Sequence, residues 1–232
     1  MNRVRLDYTN SSIVFVGLLL ISIVAFWPTY FAVFFDSEFY IHLHVFFAVL
    51  WFGMLIVQPY LIKSRRLDLH RFAGKISYLI APFVVISIGL LAHNNLIHAS
   101  ESFYPIQTYI LYLQLSLAFL FAITYGCAVY YRKTKAIHSR CMIATSFTFI
   151  DPIFARLFNI ADLNTPFSNQ VITFMLVNLI LVVLSILDRN NRKAKWVYPS
   201  LLILYLIIEI PIFFNLTGMN WWQSFAEWFG SL

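Results

Sequence analysis

Seven stretches of this chain stay apolar for about 20 residues or more, the length at which a helix rising ~1.5 Å per residue crosses ~30 Å of hydrocarbon. They run roughly over 13–35, 40–62, 72–93, 105–131, 141–160, 169–188 and 197–216. The links between them are short, which predicts an all-α, polytopic membrane bundle of seven antiparallel transmembrane helices, one integral membrane domain over 1–232. Composition agrees. With 61% hydrophobic and 11% charged residues, the chain cannot cover its own surface with polar groups, so lipid must be its solvent. A soluble enzyme, a disordered chain and a secreted disulfide scaffold are excluded. The first stretch is too long for a signal-peptide core and no small-residue cleavage site follows it, so it is expected to be a retained helix.

The net charge of +6 is not a nucleic-acid signal, because of where the charges sit. Every Lys and Arg except Arg156 falls in Arg3/Arg5, Lys63–Lys75, Arg132–Arg140 or Arg189–Lys195, at the ends of the apolar stretches. The alternate connections, 36–39, 94–104, 161–168 and 217–232, carry Asp36, Glu38, Glu101, Asp162 and Glu227 but no Lys or Arg. Basic loops stay in the cytoplasm, so the N-terminus is expected inside and the C-terminus outside. Cys127 and Cys141 flank one basic loop on that reducing side, where a structural disulfide is not expected.

In the tail, Trp221, Trp222, Phe225, Trp228, Phe229 and Leu232 recur at helical spacing, which predicts a short interfacial helix over 219–232 on the outer leaflet. It would act as an anchor or as a lid over an outward cavity. RRLDLHRFAGKISY (65–78) and KTKAIHSRCMIATS (133–146) share a run of basic loop, aliphatic residue, His and nearby Arg, a weak sign of duplicated hairpins.

Asp151, Arg156 and Glu209 fall inside expected spans, where a charge costs on the order of 2.5–3.5 kcal/mol, so each should face protein or water. Asp151 and Arg156 stand about 140° apart around a helix, which favours pairing of Arg156 with Glu209 across helices. Asp151–Pro152 suits an N-cap followed by a first helical residue, so the fifth helix is expected to break there, either as a capped kink or as the lining of a binding cavity. His44, Trp51 and Gln58, spaced by seven, form one stripe expected to face the bundle.

The histidines fall in two layers: His42, His44, His93 and His98 at the outer ends of helices, His70 and His138 at inner ends. Imidazoles at matched depths on facing helices suit a six-coordinate haem b iron, with His70 and His138 as an inner pair and His44 and His93 as an outer one. His70 and His93 are ~34 Å apart along one helix, so a single haem is expected rather than two. Interfacial His bound to water, headgroups or helix ends is the plainer reading. Zinc or copper held by the outer four His with Asp36 or Glu38 is another, although H-x-H on a regular helix splits its ligands to opposite faces.

HLHVFFAVLWFGMLIVQPYLIKSRRLDLHRFAGK (42–75) followed by HSRCM (138–142) resembles a group of uncharacterised bacterial multi-pass membrane proteins. Their pattern runs His, a late Gln, HR-x-x-G, then H-x-R-x-M, here His44, Gln58, His70, Arg71, Gly74, His138, Arg140 and Met142. The resemblance covers about half of the chain. It implies a bacterial cytoplasmic (inner) membrane location and carries no activity. A looser similarity to cytochrome b561-like bundles rests on His at helix ends. Those proteins place His on four helices, whereas the fourth and sixth stretches here have none. The orientation differs from that of G-protein-coupled receptors, the last stretch lacks the Lys of microbial rhodopsins, and no His follows His138, unlike progestin/adiponectin-type receptors.

The leading functional expectation is a b-type haem or quinone-linked membrane redox protein using His70 with His138, and His44 with His93. The alternative is non-redox binding or transport of a small molecule in an outward polar cavity lined by His44, Asp151, Arg156 and Glu209, near Trp51 and Gln58. A metal-dependent membrane hydrolase and an assembly factor with a membrane-protein partner are further readings. No G-x-S-x-G, Walker loop or H-E-x-x-H is present.

Overall fold

A computed structural model describes residues 8–161 and 166–232, and among these no strand occurs. The Arg3/Arg5 cluster and Asp162 lie outside the described residues. The helices are α1 (Ser11–Ala25), α2 (Phe39–Lys63), α3 (Leu67–Ile97), α4 (Tyr104–Tyr130), α5 (Lys135–Ala144), α6 (Phe147–Ile160), α7 (Pro166–Asp188), α8 (Val197–Phe213) and α9 (Asn220–Gly230). By length and composition α2, α3, α4, the α5–α6 pair and Asn169–Asp188 of α7 are able to cross a membrane, while α1 and α8 are shorter apolar helices.

Sequence neighbours pack side by side from α1 to α4, α4 packs on α5, and α6, α7 and α8 follow. Contacts of α1 with α6 and of α5 with α8 close the bundle. Fully buried Trp51 centres one half of the core, its ring edge-on to Phe121 and Tyr125 at 4.9 and 5.3 Å. Tyr198, Tyr205 and Leu181 centre the other half, between α4 and α8. Large apolar side chains such as Val14, Leu79, Phe119, Met175 and Ile207 point outward instead. A bundle that buries amides and carboxylates while exposing these side chains has lipid as its surroundings.

Local chemistry sets the irregular points. Pro28 cannot donate, and beyond α1 the chain widens into a π turn in which the Phe31 and Ala32 N–H groups reach back to Phe26 and Trp27. The expected first span over 13–35 is therefore a helix ending at Ala25 plus this turn. After α2, Arg65 takes a left-handed φ of 58°, with its N–H on the Ile62 carbonyl and the Arg66 N–H on that of Leu61, a Schellman stop built without glycine.

The fifth span breaks at Thr145–Ser146, between α5 and α6, not at Asp151–Pro152. Asp151 lies inside α6 and caps nothing. The carbonyl that Pro152 cannot serve belongs to Thr148, one turn earlier, and the ring crowds that same carbonyl, so the distortion moves upstream. Thr145, Ser146 and Thr148 complete it by donating their hydroxyls to the carbonyls of Met142, Ile143 and Thr145 at 2.7, 2.7 and 2.9 Å. Such back-bonding bends helices.

Helix α9 lies across α3 and α4. Trp222 and Ala226 are buried against Ala92, Leu96 and Leu111, and the Trp222 indole N–H donates to the Thr108 carbonyl at 2.9 Å. Trp221, Trp228 and Leu232 stay exposed, so only part of the expected stripe faces protein.

Candidate functional site

Two polar clusters are buried in the bundle. The first, at the end carrying the basic loops, joins residues from α2, α3 and α5. His70 and His138 each occupy the fourth residue of their helix, α3 and α5, and interact with one another electrostatically. The His138 Nδ1–H donates to the Ala128 carbonyl at 2.8 Å, which fixes the tautomer and leaves Nε2 with a free lone pair. His70 also lies against the Gln58 backbone, and its buried Nδ1 has no partner. Gln58 is 8% exposed, with neither amide atom hydrogen-bonded. A Cβ on Gly74 would sit 3.9 Å from Gln58 Nε2, in ordinary contact. Gln58, His70 and Gly74 of the sequence pattern thus meet, with His138 linked to His70 through space. Arg140 does not join them: its guanidinium, buried above the Tyr8 ring, pairs with Asp188 through two hydrogen bonds. Arg71 is exposed beside Asp68.

The second cluster lies deeper. Both Asp151 oxygens accept from Gln170 Nε2, at 3.1 and 3.0 Å, and both Glu209 oxygens accept from Asn178 Nδ2, at 3.0 and 2.8 Å. Each carboxylate is 2% exposed. The pairing of Arg156 with Glu209 does not form. Arg156 donates to the Pro152 carbonyl at 3.2 Å and stacks over the Phe26 ring at 4.3 Å. Among the described residues, no cation lies within ion-pair distance of Asp151 or Glu209. Asp151, Arg156 and His44 are linked only through space. Tyr205 acts on both carboxylates and Tyr109 on Asp151, and both buried hydroxyls lack a partner.

The outer histidines separate. His44 Nδ1 is 3.2 Å from Ser87 Oγ. Because that hydroxyl donates to the Val84 carbonyl, His44 is the donor. His93 sits edge-on to Phe229 of α9, His42 meets the Tyr30 hydroxyl, and His98 donates to the Asn94 carbonyl. The expected meeting of His44 with His93 therefore has no shared neighbour behind it. Among the described residues, no three His, Cys, Asp or Glu side chains converge to hold a metal ion. Trp51 belongs to the core, its indole N–H on Thr145 Oγ1 at 3.1 Å.

A polar cavity of 570 Å³ does open at the end opposite the basic loops, but its walls carry Asp36, Glu38, Asn94, His98 and Gln107, not Asp151, Arg156 or Glu209. No residue of α9 lines it, so α9 is no lid over it. Sequence reasoning missed Gln170, Asn178, Tyr109 and Tyr205. Their signal was polarity within a span, as with the charges they serve. Comparison with protein-family models, curated proteins and solved structures finds no match to this chain.

Proposed function

We propose that the chain crosses a bacterial cytoplasmic membrane seven times, N-terminus inside, with α5 and α6 as one broken crossing, and works as a proton-linked carrier or binding protein for a small polar solute. One observation carries this reading: Asp151 and Glu209 are buried with amide partners only, while half-buried Arg156 contacts a ring and a backbone carbonyl. A scaffold gains most from pairing its buried charges directly, because an unpaired one costs several kcal/mol. Carboxylates cradled by amide donors and bordered by the unpartnered Tyr109 and Tyr205 hydroxyls are placed to take up and release a proton. Infrared difference spectra of the purified full chain between about pH 4 and pH 9 test this, since a protonated carboxyl has its own carbonyl band. The band is expected to follow pH in the wild type, to shrink in Glu209→Gln and to shrink in Asp151→Asn. Carboxylates that never change state would overturn the reading.

A second reading, a b-type haem or a quinone at His70 and His138, is favoured by the free His138 Nε2 and the unpartnered Gln58 amide. Visible spectra of protein made with ample haem, oxidised and then dithionite-reduced, are expected to show a Soret band with sharp reduced α and β bands that His70→Ala removes. Colourless protein excludes haem.

A further inference from the structure

A narrow apolar groove of 330 Å³ runs between α1 and α2. Ser12, Ile13 and Val16 form one wall, and Ile56, Val57 and Tyr60 the other. The Ser12 hydroxyl donates to the Ile56 carbonyl at 2.8 Å, which ties the two helices together and occupies that hydroxyl. Ile13, Val16, Val57 and Tyr60 are all exposed, so the groove opens toward lipid rather than into the bundle. It shares no residue with either buried cluster.

The end of the groove nearest the basic loops carries charge. Lys63 follows Tyr60 by ~4.5 Å of helix rise. Its ammonium donates to the side-chain oxygen of Asn10, the residue that precedes α1, at 2.8 Å. The charge therefore bridges the same two helices that wall the groove, and a neutral amide does not neutralise it. Arg65 and Arg66 follow in the same connection, both exposed. Asp68, the next acid along the chain, faces Arg71 at 3.5 Å. Among the described residues, no carboxylate lies within ion-pair distance of Lys63, Arg65 or Arg66.

An apolar slot that ends on unpaired cations selects an amphiphile whose hydrocarbon and negative charge adjoin. The volume suits a single acyl chain, whereas a partner helix about 10 Å across does not enter it. Tyr60 stands at the boundary between slot and charge, the depth at which an amphipathic ring meets headgroups. We propose that this groove holds one acyl chain of an anionic phospholipid, with the phosphate on Lys63 and the Arg65–Arg66 step, in the leaflet that meets the basic loops.

Native mass spectrometry of the full chain released from detergent tests the proposal, with titrations of phosphatidylglycerol and phosphatidylcholine of identical acyl chains. The first phosphatidylglycerol is expected to bind about fivefold or more tightly than phosphatidylcholine, since each cation near a membrane surface favours an anionic headgroup by about that factor. Lys63→Gln should weaken phosphatidylglycerol about fivefold and leave phosphatidylcholine unchanged. Lys133→Gln, exposed in another basic loop at the same end, should change neither. Val16→Trp fills the groove and should weaken both lipids, whereas Leu79→Trp, lipid-facing on α3 and outside the groove, should weaken neither. All four positions are exposed, so the core is left as it is. Equal affinity for the two lipids would overturn the proposal. So would a loss in Lys133→Gln as large as that in Lys63→Gln, which reduces the effect to general charge, or a Val16→Trp variant that binds like the wild type. A protein subunit that co-purifies with the wild type and is lost in Val16→Trp would also overturn it, by giving the groove to a protein partner.

Discussion

Breaking the ion pair of Arg140 with Asp188 should be among the most damaging single changes to this bundle. The two residues are 5% and 4% exposed, and Arg140 Nε and Nη2 each donate to a different Asp188 oxygen. Asp188→Ala removes two charge-assisted hydrogen bonds, each worth about 1.5–3 kcal/mol. Arg140 keeps its bond to the Ala136 carbonyl at 2.8 Å and its place over Tyr8 at 4.8 Å, which limits the loss. A net cost of about 3–5 kcal/mol follows, in line with uncompensated charge left in a protein interior. Replacing both partners, Arg140→Met with Asp188→Leu, removes the stranded charge and should return stability to within about 1 kcal/mol of the wild type. Unfolding in mixed dodecyl maltoside and SDS micelles, followed by tryptophan fluorescence, gives all three values. The reasoning fails if Asp188→Ala costs under about 1 kcal/mol, or if it costs as much when Met already stands at 140.

Other outcomes follow from single contacts. Arg65→Gly relieves the left-handed φ at the end of α2 and should stabilise the protein by up to about 1 kcal/mol in the same assay. Gly74→Ala should be tolerated or gain about 0.5–1 kcal/mol, since the new methyl meets only Gln58 Nε2 at 3.9 Å. Trp222→Ala empties the seat of α9 at a local cost of about 3–5 kcal/mol and should expose the 217–232 segment to limited proteolysis, with α2–α8 left intact. Thr145→Val takes away the acceptor of the Trp51 indole and one back-bond of the α5–α6 joint, and a red shift of Trp51 emission would report the loosened ring.

Hydropathy located the long helices closely: the stretches 40–62, 105–131 and 169–188 correspond to Phe39–Lys63, Tyr104–Tyr130 and Pro166–Asp188, whereas 197–216 yields the shorter Val197–Phe213. The reason is physical, since lipid demands a fixed apolar length whatever the packing. Hydropathy also showed that Asp151, Arg156 and Glu209 need shelter: the two carboxylates are buried and Arg156 is half-buried. It could not show by whom. Partner choice between helices depends on rotation and depth, so Asn178 took the place expected for Arg156 at Glu209, and Gln170 serves Asp151. The break in the fifth span was misplaced because Pro152 acts one turn upstream, where three hydroxyls accommodate the bend. Of the histidines, His70 and His138 are linked through space only, whereas His44 and His93 look toward Ser87 and Phe229.

The seat of α9 sets an order of events during synthesis. Trp222 donates to a carbonyl 114 residues earlier, on a helix already made when α9 emerges. Until then the first turns of α4 and the last turns of α3 stand uncovered, with Leu96 and Leu111 lacking their final neighbour. A chain halted before residue 220 would hold α1–α8 and leave that rim of α3 and α4 uncovered, so this contact forms only after both helices are in place.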